Sequence, residues 1–339
     1  ISRYHKNLAH HQATLHQQLA DRSYRPLAVR RTHIRKPGSK ELRPLGIPCV
    51  RDRIAQTAFK LVLEPVFEVT FADCSYGFRP GCSCKDALRE VDQLLKAGYR
   101  YVVDADIQGF FDNLDHSILM NRVRQRISDG TVLEYLHRFL KQGIMDDLRY
   151  WEPEEGTPQG SVISPLLANV FLNEFDHFLC ERGYRLVRYA DDFVILCSSA
   201  EEAQSGLHLV QDWMETNKLT LHPTKTHIAN LHESGGEFSF LGYRFKCHQN
   251  KKGQVRLQRF VARKSLKKVK ARLRELIPRK HGNSLEVILT TVNRSMRGWF
   301  NYFCHASVMD HEALDGYIRR RLRRLLRKRT KRHRGSGGS

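Results

Sequence analysis

The chain has 339 residues, of which 57 are Lys or Arg and 36 are Asp or Glu, giving a formal net charge of +21. A hydrophobic fraction of 41%, with 17 Phe, 12 Tyr and 3 Trp, can build a folded core and argues against disorder throughout. No apolar run approaches the roughly 18 residues of a membrane span, which argues against an integral membrane protein. The positive charge predicts a polyanionic partner, of which nucleic acid is the commonest.

The charge is unevenly distributed along the chain. Residues 1–60 carry a net charge of +10, residues 61–240 a net charge of −12 and residues 241–339 a net charge of +23. An acidic centre between two basic ends is typical of an enzyme that binds divalent metal centrally and holds a polyanion at its ends. Ordinary surface acidity in the middle of the chain is the alternative.

Hydrophobic spacing in the first 142 residues predicts several helices, one extended segment and one short strand. The extended segment covers residues 24–48 and turns at Pro37-Gly38, a strong turn signal. The strand Tyr101–Val103 leads directly into Asp104-Ala105-Asp106. The predicted helices are 7–20, 51–69, 83–97, 116–128 and 131–142.

The next 100 residues alternate between helices and apolar strands. The predicted elements are a helix over 164–179, strands over 185–189 and 193–197, a helix over 200–217 and a strand pair over 238–245. Together with the strand at 101–103, this order resembles the ferredoxin-like split unit. Beyond residue 255 the pattern predicts only helices, with apolar faces that begin at Val261, Leu285 and Leu314.

Three aspartates fall at the ends of these apolar strands. Asp106 ends the first strand, and Asp191 and Asp192 lie in the turn between the next two. Burying carboxylates near apolar strands is unfavourable unless a cation neutralises them, and Mg²⁺ prefers carboxylates, phosphates and water. Two such ions would stabilise the attacking and leaving oxygens of a displacement on phosphorus. Ordinary turn aspartates are the alternative.

These residues also carry a family resemblance. Tyr189-Ala190-Asp191-Asp192 resembles the signature of reverse transcriptases, and the segment from Asp106 to Asp112 resembles the first catalytic motif of the same palm. Within that family the chain is most similar to the group II intron-encoded reverse transcriptase and maturase lineage and its bacterial relatives. The other similar blocks are 43–48, 52–56, 76–80, 155–169 and 240–243, so that the resemblance covers roughly residues 20–330.

The resemblance implies an α+β right-hand polymerase with fingers, a ferredoxin-like palm and an α-helical thumb of the maturase type. It divides the chain into an N-terminal segment and fingers over 1–100, partly interleaved with the palm, and a palm over 101–250. The thumb follows over 251–334, and a Gly/Ser tail covers 335–339.

The resemblance assigns the chemistry to the strand-end carboxylates. Asp106, Asp191 and Asp192 are implied to be catalytic, with two Mg²⁺ ions, replaceable by Mn²⁺, held by Asp106, Asp191 and the backbone of Ile107. Phe111 is implied to exclude a sugar 2′-hydroxyl and so to select dNTPs, unless it and Phe110 both belong to the core.

Further residues are implied to contact substrates. The residues implied to bind dNTP are Lys36, Arg43, Phe111, Gln159, Gly160 and Lys225. Those implied to bind nucleic acid are Pro158, Leu241, Gly242, Arg263, Lys267 and Arg297. The alternatives are a solvated basic hairpin for Lys36 and Arg43, an ordinary turn glycine for Gly160 and a structural role for Lys225. The aromatic side chains near Arg297 could instead fill the thumb core.

The implied function is an RNA-directed DNA polymerase that extends a primer 3′-hydroxyl with dNTPs on an RNA template. The implied partners are the RNA template, a DNA or RNA primer and structured intron RNA, with no membrane. The alternatives are a splicing cofactor that makes little use of its polymerase, or a relative recruited to phage defence or CRISPR spacer acquisition. Eight cysteines without a secretory signal favour a reducing bacterial cytoplasm.

The chain also departs from the family pattern. Arg35, rather than proline, precedes Lys36, little sequence precedes Tyr24, and no Cys/His-rich nuclease segment follows the thumb. We therefore expect altered geometry before Lys36 and no nicking of a DNA target by this chain alone. The start at Ile1 and the Gly/Ser end suggest a chain that was cut from a longer one or engineered.

Overall fold

The structure is a computed structural model that describes residues 2–35, 42–146, 149–157, 160–233, 235–249, 255–278 and 282–335. The chain divides into two units, of which the first ends at Ala229 and the second begins at Asn230. The three-part division into fingers, palm and thumb stays a prediction. None of the helices in the described ranges is long and apolar enough to cross a membrane.

The first unit holds most of the predicted helices and strands. Its described helices are α1 (Ser2–Lys6), α2 (Leu8–Ala20), α3 (Val50–Glu68), α4 (Cys84–Lys96), α5 (His116–Arg124), α6 (Gly130–Leu140), α7 (Ser164–Cys180) and α8 (Ala200–Thr216). Its described strands are β1 (Val29–Arg35), β2 (Leu42–Ile47), β3 (Tyr101–Asp106), β4 (Ile144–Asp146), β5 (Arg149–Trp151), β6 (Arg185–Tyr189), β7 (Asp192–Cys197) and β8 (His227–Asn230).

A four-stranded sheet in the order β6-β7-β3-β8 forms the centre of this unit. That order, with helices between β3 and β6 and between β7 and β8, is the ferredoxin-like arrangement predicted for the palm. Strand β7 reads as a continuous apolar run because both of its faces are covered, and Phe193 through Cys197 are fully buried. The prediction that residues 238–245 supply the last strand of this unit is wrong. The shorter β8, whose sequence is more polar, takes that place.

A second sheet, in the order β2-β1-β4-β5, contains the extended segment predicted before Pro48. Strand β1 pairs antiparallel with β2, so that Arg35 lies opposite Leu42, and it pairs parallel with β4. The predicted turn at Pro37-Gly38 falls outside the described residues. The hairpin β4–β5 was not predicted, because its strands have only three residues each and expose Met145 and Tyr150.

The second unit combines a three-stranded antiparallel sheet with a helical cluster. Its described elements are β9 (Glu237–Phe240), β10 (Tyr243–Gln249), β11 (Val255–Val261), α9 (Arg263–Leu276), α10 (Leu285–Phe303) and α11 (Val308–Gly335). The helices share an apolar core that includes Leu273, Ile288, Val292 and Leu314. The α+β fold with a helical C-terminal part is therefore confirmed.

The prediction that residues beyond 255 form only helices is wrong for β11. Val255, Leu257 and Val261 share the period of two that suits a strand, but Arg259 and Phe260 interrupt the alternation, so the pattern is weak. Strand β11 pairs with β10 along its whole length, with Val261 opposite Tyr243. Val261 therefore belongs to this sheet and not to the apolar face of a helix.

Candidate active site

Strand register brings the predicted carboxylates together at one end of the central sheet. Asp106 is the last residue of β3 and lies directly opposite Asp192, the first residue of β7. Tyr189, the last residue of β6, is also paired with Asp192, so Ala190 and Asp191 form the two-residue connection between β6 and β7. Asp106 thus meets Asp191 and Asp192, which are distant from it in sequence, where three neighbouring strands begin or end.

A cavity of about 770 Å³ opens at this end of the sheet. Asp106 and Asp191 line it, while Asp192 does not. The other predicted site residues that line it are Ile107, Phe111, Gly160 and Lys225. The cavity is large enough for a nucleotide-sized ligand. Its lining combines charged side chains, among them Asp106, Asp191 and Lys225, with apolar ones such as Leu45 and Phe111.

The remaining predicted dNTP contacts lie at the edge of what the structure describes. Lys36 and Gln159 fall outside the described residues, and so does Pro158, which was predicted to bind nucleic acid. The backbone of Arg43 belongs to β2, but its side chain is outside the description. The neighbouring residues Pro44 and Leu45 line the cavity. The predicted roles of Lys36, Arg43 and Gln159 stay predictions.

The loop after α8 supplies a cation to the site. The Nζ atom of Lys225 lies 2.6 Å from Oδ2 of Asp106. The backbone N–H of His222 donates to the carbonyl of Asp106 at 2.7 Å, and the N–H of Gln108 donates to the carbonyl of Thr220 at 2.8 Å. These backbone bonds fix the loop to the end of β3, so that Lys225 faces the carboxylate.

The donor set fits a magnesium site. Two carboxylates border one cavity, and a positively charged group already neutralises one of them. Within the described ranges, no group of three or more His, Cys, Asp or Glu side chains is placed to hold a metal by itself. Mg²⁺ typically takes one or two carboxylates and completes its octahedron with water and substrate phosphates. Asp106 and Asp191 would supply such a partial set.

The two adjacent phenylalanines at the cavity have different environments. Phe110 is only 2% exposed, and its ring meets that of Phe171 edge-on at 6.0 Å, so it belongs to the core. Phe111 is half-buried and lies between the large cavity and a second one of about 210 Å³. Its aromatic ring is therefore the one available to a ligand.

The turn that carries Asp191 is held by residues to which the sequence assigned no role. Ala190 adopts a φ of +59°, and its carbonyl accepts a hydrogen bond from Nη1 of Arg188 at 2.8 Å. A Cβ atom on Gly77 would lie 2.2 Å from the Ala190 nitrogen, so only glycine fits there without movement. The available signal was an arginine inside an apolar strand, which predicts a buried partner.

Tyr189 remains neutral beside these carboxylates. A hydrogen bond with Cys84, together with partial burial, raises the pKa of Tyr189 to about 12. Its hydroxyl group therefore stays protonated at physiological pH and adds no negative charge at this end of the sheet.

Apart from Pro158, the predicted nucleic-acid contacts all lie in the second unit, and they are Leu241, Gly242, Arg263, Lys267 and Arg297. Leu241 and Gly242 form the turn between β9 and β10, with φ values of +47° and +82°. The hydroxyl of Tyr302 donates to the Leu241 carbonyl at 2.8 Å, which ties the turn to α10. Arg263 and Lys267 are exposed on α9, and Arg297 is exposed on α10.

Sequence comparison identifies the family. The family described as "Reverse transcriptase (RNA-dependent DNA polymerase)" matches residues 34–245, well over half of the chain. The chain belongs to the reverse transcriptases. A second family, "Group II intron, maturase-specific domain", matches residues 266–338, which makes this reverse transcriptase one of the group II intron type. The chain therefore has an RNA-directed DNA polymerase domain. Membership implies divalent metal ions and a nucleic-acid template and primer, and the maturase domain suggests intron RNA binding.

Individual relatives agree with this family. Protein YkfC of Escherichia coli K12 is 34% identical over 78% of each chain. The group II intron-encoded protein LtrA of Lactococcus lactis subsp. cremoris is 42% identical over 165 residues, which are 49% of this chain and only 27% of LtrA. A telomerase from Candida albicans, solved with a fragment of telomeric RNA, shares the fold. Its TM-score is 0.52 at 13% identity, over 90% of this chain and 59% of that one.

Proposed function

We propose that this reverse transcriptase extends a primer 3′-hydroxyl with dNTPs on an RNA template, using two Mg²⁺ ions held by Asp106 and Asp191. The observation that carries the proposal is the register of β3, β6 and β7, which brings both carboxylates to one cavity of about 770 Å³. Asp192 lies outside that cavity lining, so we give it a supporting role next to Asp106.

In the proposed reaction, the 3′-oxygen of the primer attacks the α-phosphorus of the dNTP, and the bond to pyrophosphate breaks. The primer hydroxyl loses its proton to solvent. Bound Mg²⁺ would neutralise the developing charge on the attacking and leaving oxygens. Asp106 and Asp191 would hold those ions in place, Phe111 would exclude a 2′-hydroxyl from the sugar site, and Lys225 would move from Asp106 to a phosphate oxygen.

Primer extension tests this proposal. The wild-type chain and the variants Asp106→Asn, Asp191→Asn and Glu134→Gln are compared on an RNA template with dNTPs and Mg²⁺. Glu134 is the matched control, because it is an exposed carboxylate of the same unit and lies on α6, outside the cavity lining. We expect complementary DNA from the wild type and from Glu134→Gln, and background signal from both Asp variants. Full activity in Asp191→Asn would contradict the metal assignment.

A second activity is favoured by the maturase-specific match and by the charge of α11. Residues 319–334 contain 11 Lys and Arg, and Arg263, Lys267 and Arg297 add exposed cations on α9 and α10. When cationic side chains neutralise RNA phosphates, counterions are released from the RNA. The affinity for RNA therefore falls steeply as the salt concentration rises. We propose that the second unit binds structured intron RNA and assists splicing.

This second activity can be measured separately from polymerisation. Splicing of a group II intron RNA is followed with the wild type and with Asp191→Asn. We expect Asp191→Asn to assist splicing as well as the wild type does, because its substitution lies in the first unit. The proposal would be contradicted if neither protein affected the splicing of a group II intron such as the one that encodes LtrA.

A further inference from the structure

An ion pair is completely buried behind the turn that carries Asp191. The side chains of Arg188 on β6 and Asp176 on α7 are both 0% exposed. Nε of Arg188 lies 2.6 Å from Oδ1 of Asp176, and Nη2 lies 2.5 Å from Oδ2, so the contact is bidentate. Apolar residues of similar volume usually stabilise a core as well as such a pair does. The pair therefore calls for a reason other than stability.

The remaining hydrogen bonds of Arg188 point to that reason. Nη1 donates to the carbonyl of Ala190 at 2.8 Å and to Oδ1 of Asn169 at 3.1 Å. Nη2 donates to Oγ of Ser75 at 2.7 Å. Ala190 directly precedes Asp191 and has a φ in the left-handed region, which is unfavourable for a residue with a Cβ. The guanidinium thus holds the peptide group between Ala190 and Asp191. The orientation of this peptide group sets the position of Asp191.

The same network also contacts the other side of the turn, at the backbone nitrogen of Ala190. The side-chain amide of Asn169 donates to the carbonyl of Gly77 at 2.8 Å, and Gly77 packs against the Ala190 nitrogen. The segment before Gly77 is bonded to β6 as well. The N–H of Arg188 donates to the carbonyl of Cys74, and the N–H of Tyr76 donates to the carbonyl of Arg188, both at 2.9 Å. Both peptide groups of Ala190 are therefore fixed by a buried scaffold.

We propose that Arg188 is a positioning residue, which fixes Asp191 relative to Asp106 through the carbonyl of Ala190, with Asp176 orienting its guanidinium. This inference rests on the proposed metal-binding role of Asp106 and Asp191. Only arginine offers a planar fork that can bind a carboxylate bidentately and still reach three further acceptors. Lysine would keep the charge and lose this geometry.

The matched control is Arg122, a second buried arginine of the same unit. Arg122 is 6% exposed and donates to Glu174, to the carbonyl of Phe171 and to Asn217. None of these partners belongs to the turn between β6 and β7. Arg188→Lys and Arg122→Lys therefore make the same chemical change at two buried networks, only one of which touches the turn.

Single-turnover primer extension is measured against Mg²⁺ concentration, alongside the melting temperature of each variant. We expect Arg188→Lys to raise the half-saturating Mg²⁺ concentration several-fold and to slow the saturated rate by up to about 10²-fold, because small misplacements of catalytic groups have effects of this size. We expect Arg122→Lys to lower the melting temperature and to leave the Mg²⁺ dependence at the wild-type value. Equal Mg²⁺ shifts in the two variants would overturn the proposal.

A charge-free variant separates positioning from stability. In the double variant Arg188→Met with Asp176→Leu, both buried charges are gone, so we expect a melting temperature above that of Arg188→Met alone. The proposal requires that this double variant still show the raised Mg²⁺ requirement. Wild-type Mg²⁺ dependence in the folded double variant would overturn it, and so would failure of both the double variant and Arg188→Lys to fold. Activity in Asp191→Asn would instead refute the proposed metal site.

Discussion

The ammonium group of Lys225 lies 2.6 Å from a carboxylate oxygen of Asp106, and both residues line the cavity proposed to bind dNTP. Both side chains are well exposed, 55% for Lys225 and 40% for Asp106. An exposed ion pair contributes about 0–1 kcal/mol to stability, so little holds the two groups together. We infer that Lys225 exchanges this carboxylate for a substrate phosphate when a metal ion binds Asp106.

Replacing Lys225 with Met should therefore affect substrate use and not folding. We expect kcat/KM for dNTP to fall roughly tenfold or more, since a hydrogen bond to a charged group is worth about 1.5–3 kcal/mol. The half-saturating Mg²⁺ concentration should not rise, because the variant removes a competitor for Asp106. Steady-state primer extension at varied dNTP and Mg²⁺ measures both quantities.

The control for this prediction is Lys218→Met. Lys218 is also exposed and ion-paired, with Nζ 2.8 Å from Oδ2 of the more buried Asp115, and it does not line the cavity. A loss of kcat/KM in Lys218→Met equal to that in Lys225→Met would contradict a specific role for Lys225.

Phe111 should act as the gate against ribonucleotides. Both Phe110 and Phe111 border the cavity, but Phe110 is buried in the core and Phe111 is only half-buried, so we expect Phe111→Ala to open space for a 2′-hydroxyl. Removing a steric contact of this kind changes discrimination by about 10-fold to 200-fold. The measurement is the ratio of kcat/KM for dNTP and rNTP on the same primer and template.

Phe110→Leu is the comparison variant for the gate. It should lower the melting temperature, because it removes a packed aromatic ring from the core. It should leave the preference for dNTP unchanged. Phe111 would not be the gate if Phe111→Ala kept the wild-type preference.

Gly77→Ala should damage activity through the catalytic turn. A Cβ atom there would lie 2.2 Å from the backbone nitrogen of Ala190, and backbone atoms cannot be moved aside cheaply. We expect a destabilisation of about 1–3 kcal/mol from overpacking. The extension rate at saturating substrate should fall at least tenfold, as expected when a catalytic carboxylate is displaced.

Gly130→Ala is the matched control for this substitution. Gly130 starts α6, no atom lies within 4 Å of a Cβ built on it, and its φ is outside the left-handed region. It should therefore keep wild-type activity and a melting temperature no lower than that of the wild type. A fully active Gly77→Ala would show that the turn tolerates displacement.

Much of the central sheet and the helix α7 were predictable from the sequence because their signals are strong and mutually consistent. Strands β6 and β7 are apolar runs separated by a short polar connection, and α7 is a long apolar helix opened by Pro165. Such runs are typical of elements buried on both faces. The position of Asp106 at a strand end also followed from the sequence, although the pairing of Asp106 with Asp192 needed the three-dimensional register.

The missed features share a physical cause, which is that contacts with other elements determine them more than their own sequence does. The partner of Arg188, Asp176, is 12 residues away on another element, and Ser75 is 113 residues away. Strand β8 is short and partly polar, so its place in the sheet depends on its neighbour β3 more than on its own composition. The polar residues of β11 would also fit an amphipathic helix, and its pairing with β10 makes this segment a strand.

The attachment of the β9–β10 turn to α10 bears on how chimeric enzymes should be joined. The hydroxyl of Tyr302 reaches the carbonyl of Leu241, and the hydroxyl of Tyr243 reaches the carbonyl of Tyr302. In a chimera that joins two related proteins near residue 250, the donor and the acceptor of each of these hydrogen bonds would come from different proteins. A crossover after Ala229 would transplant the turn together with the helix that supports it.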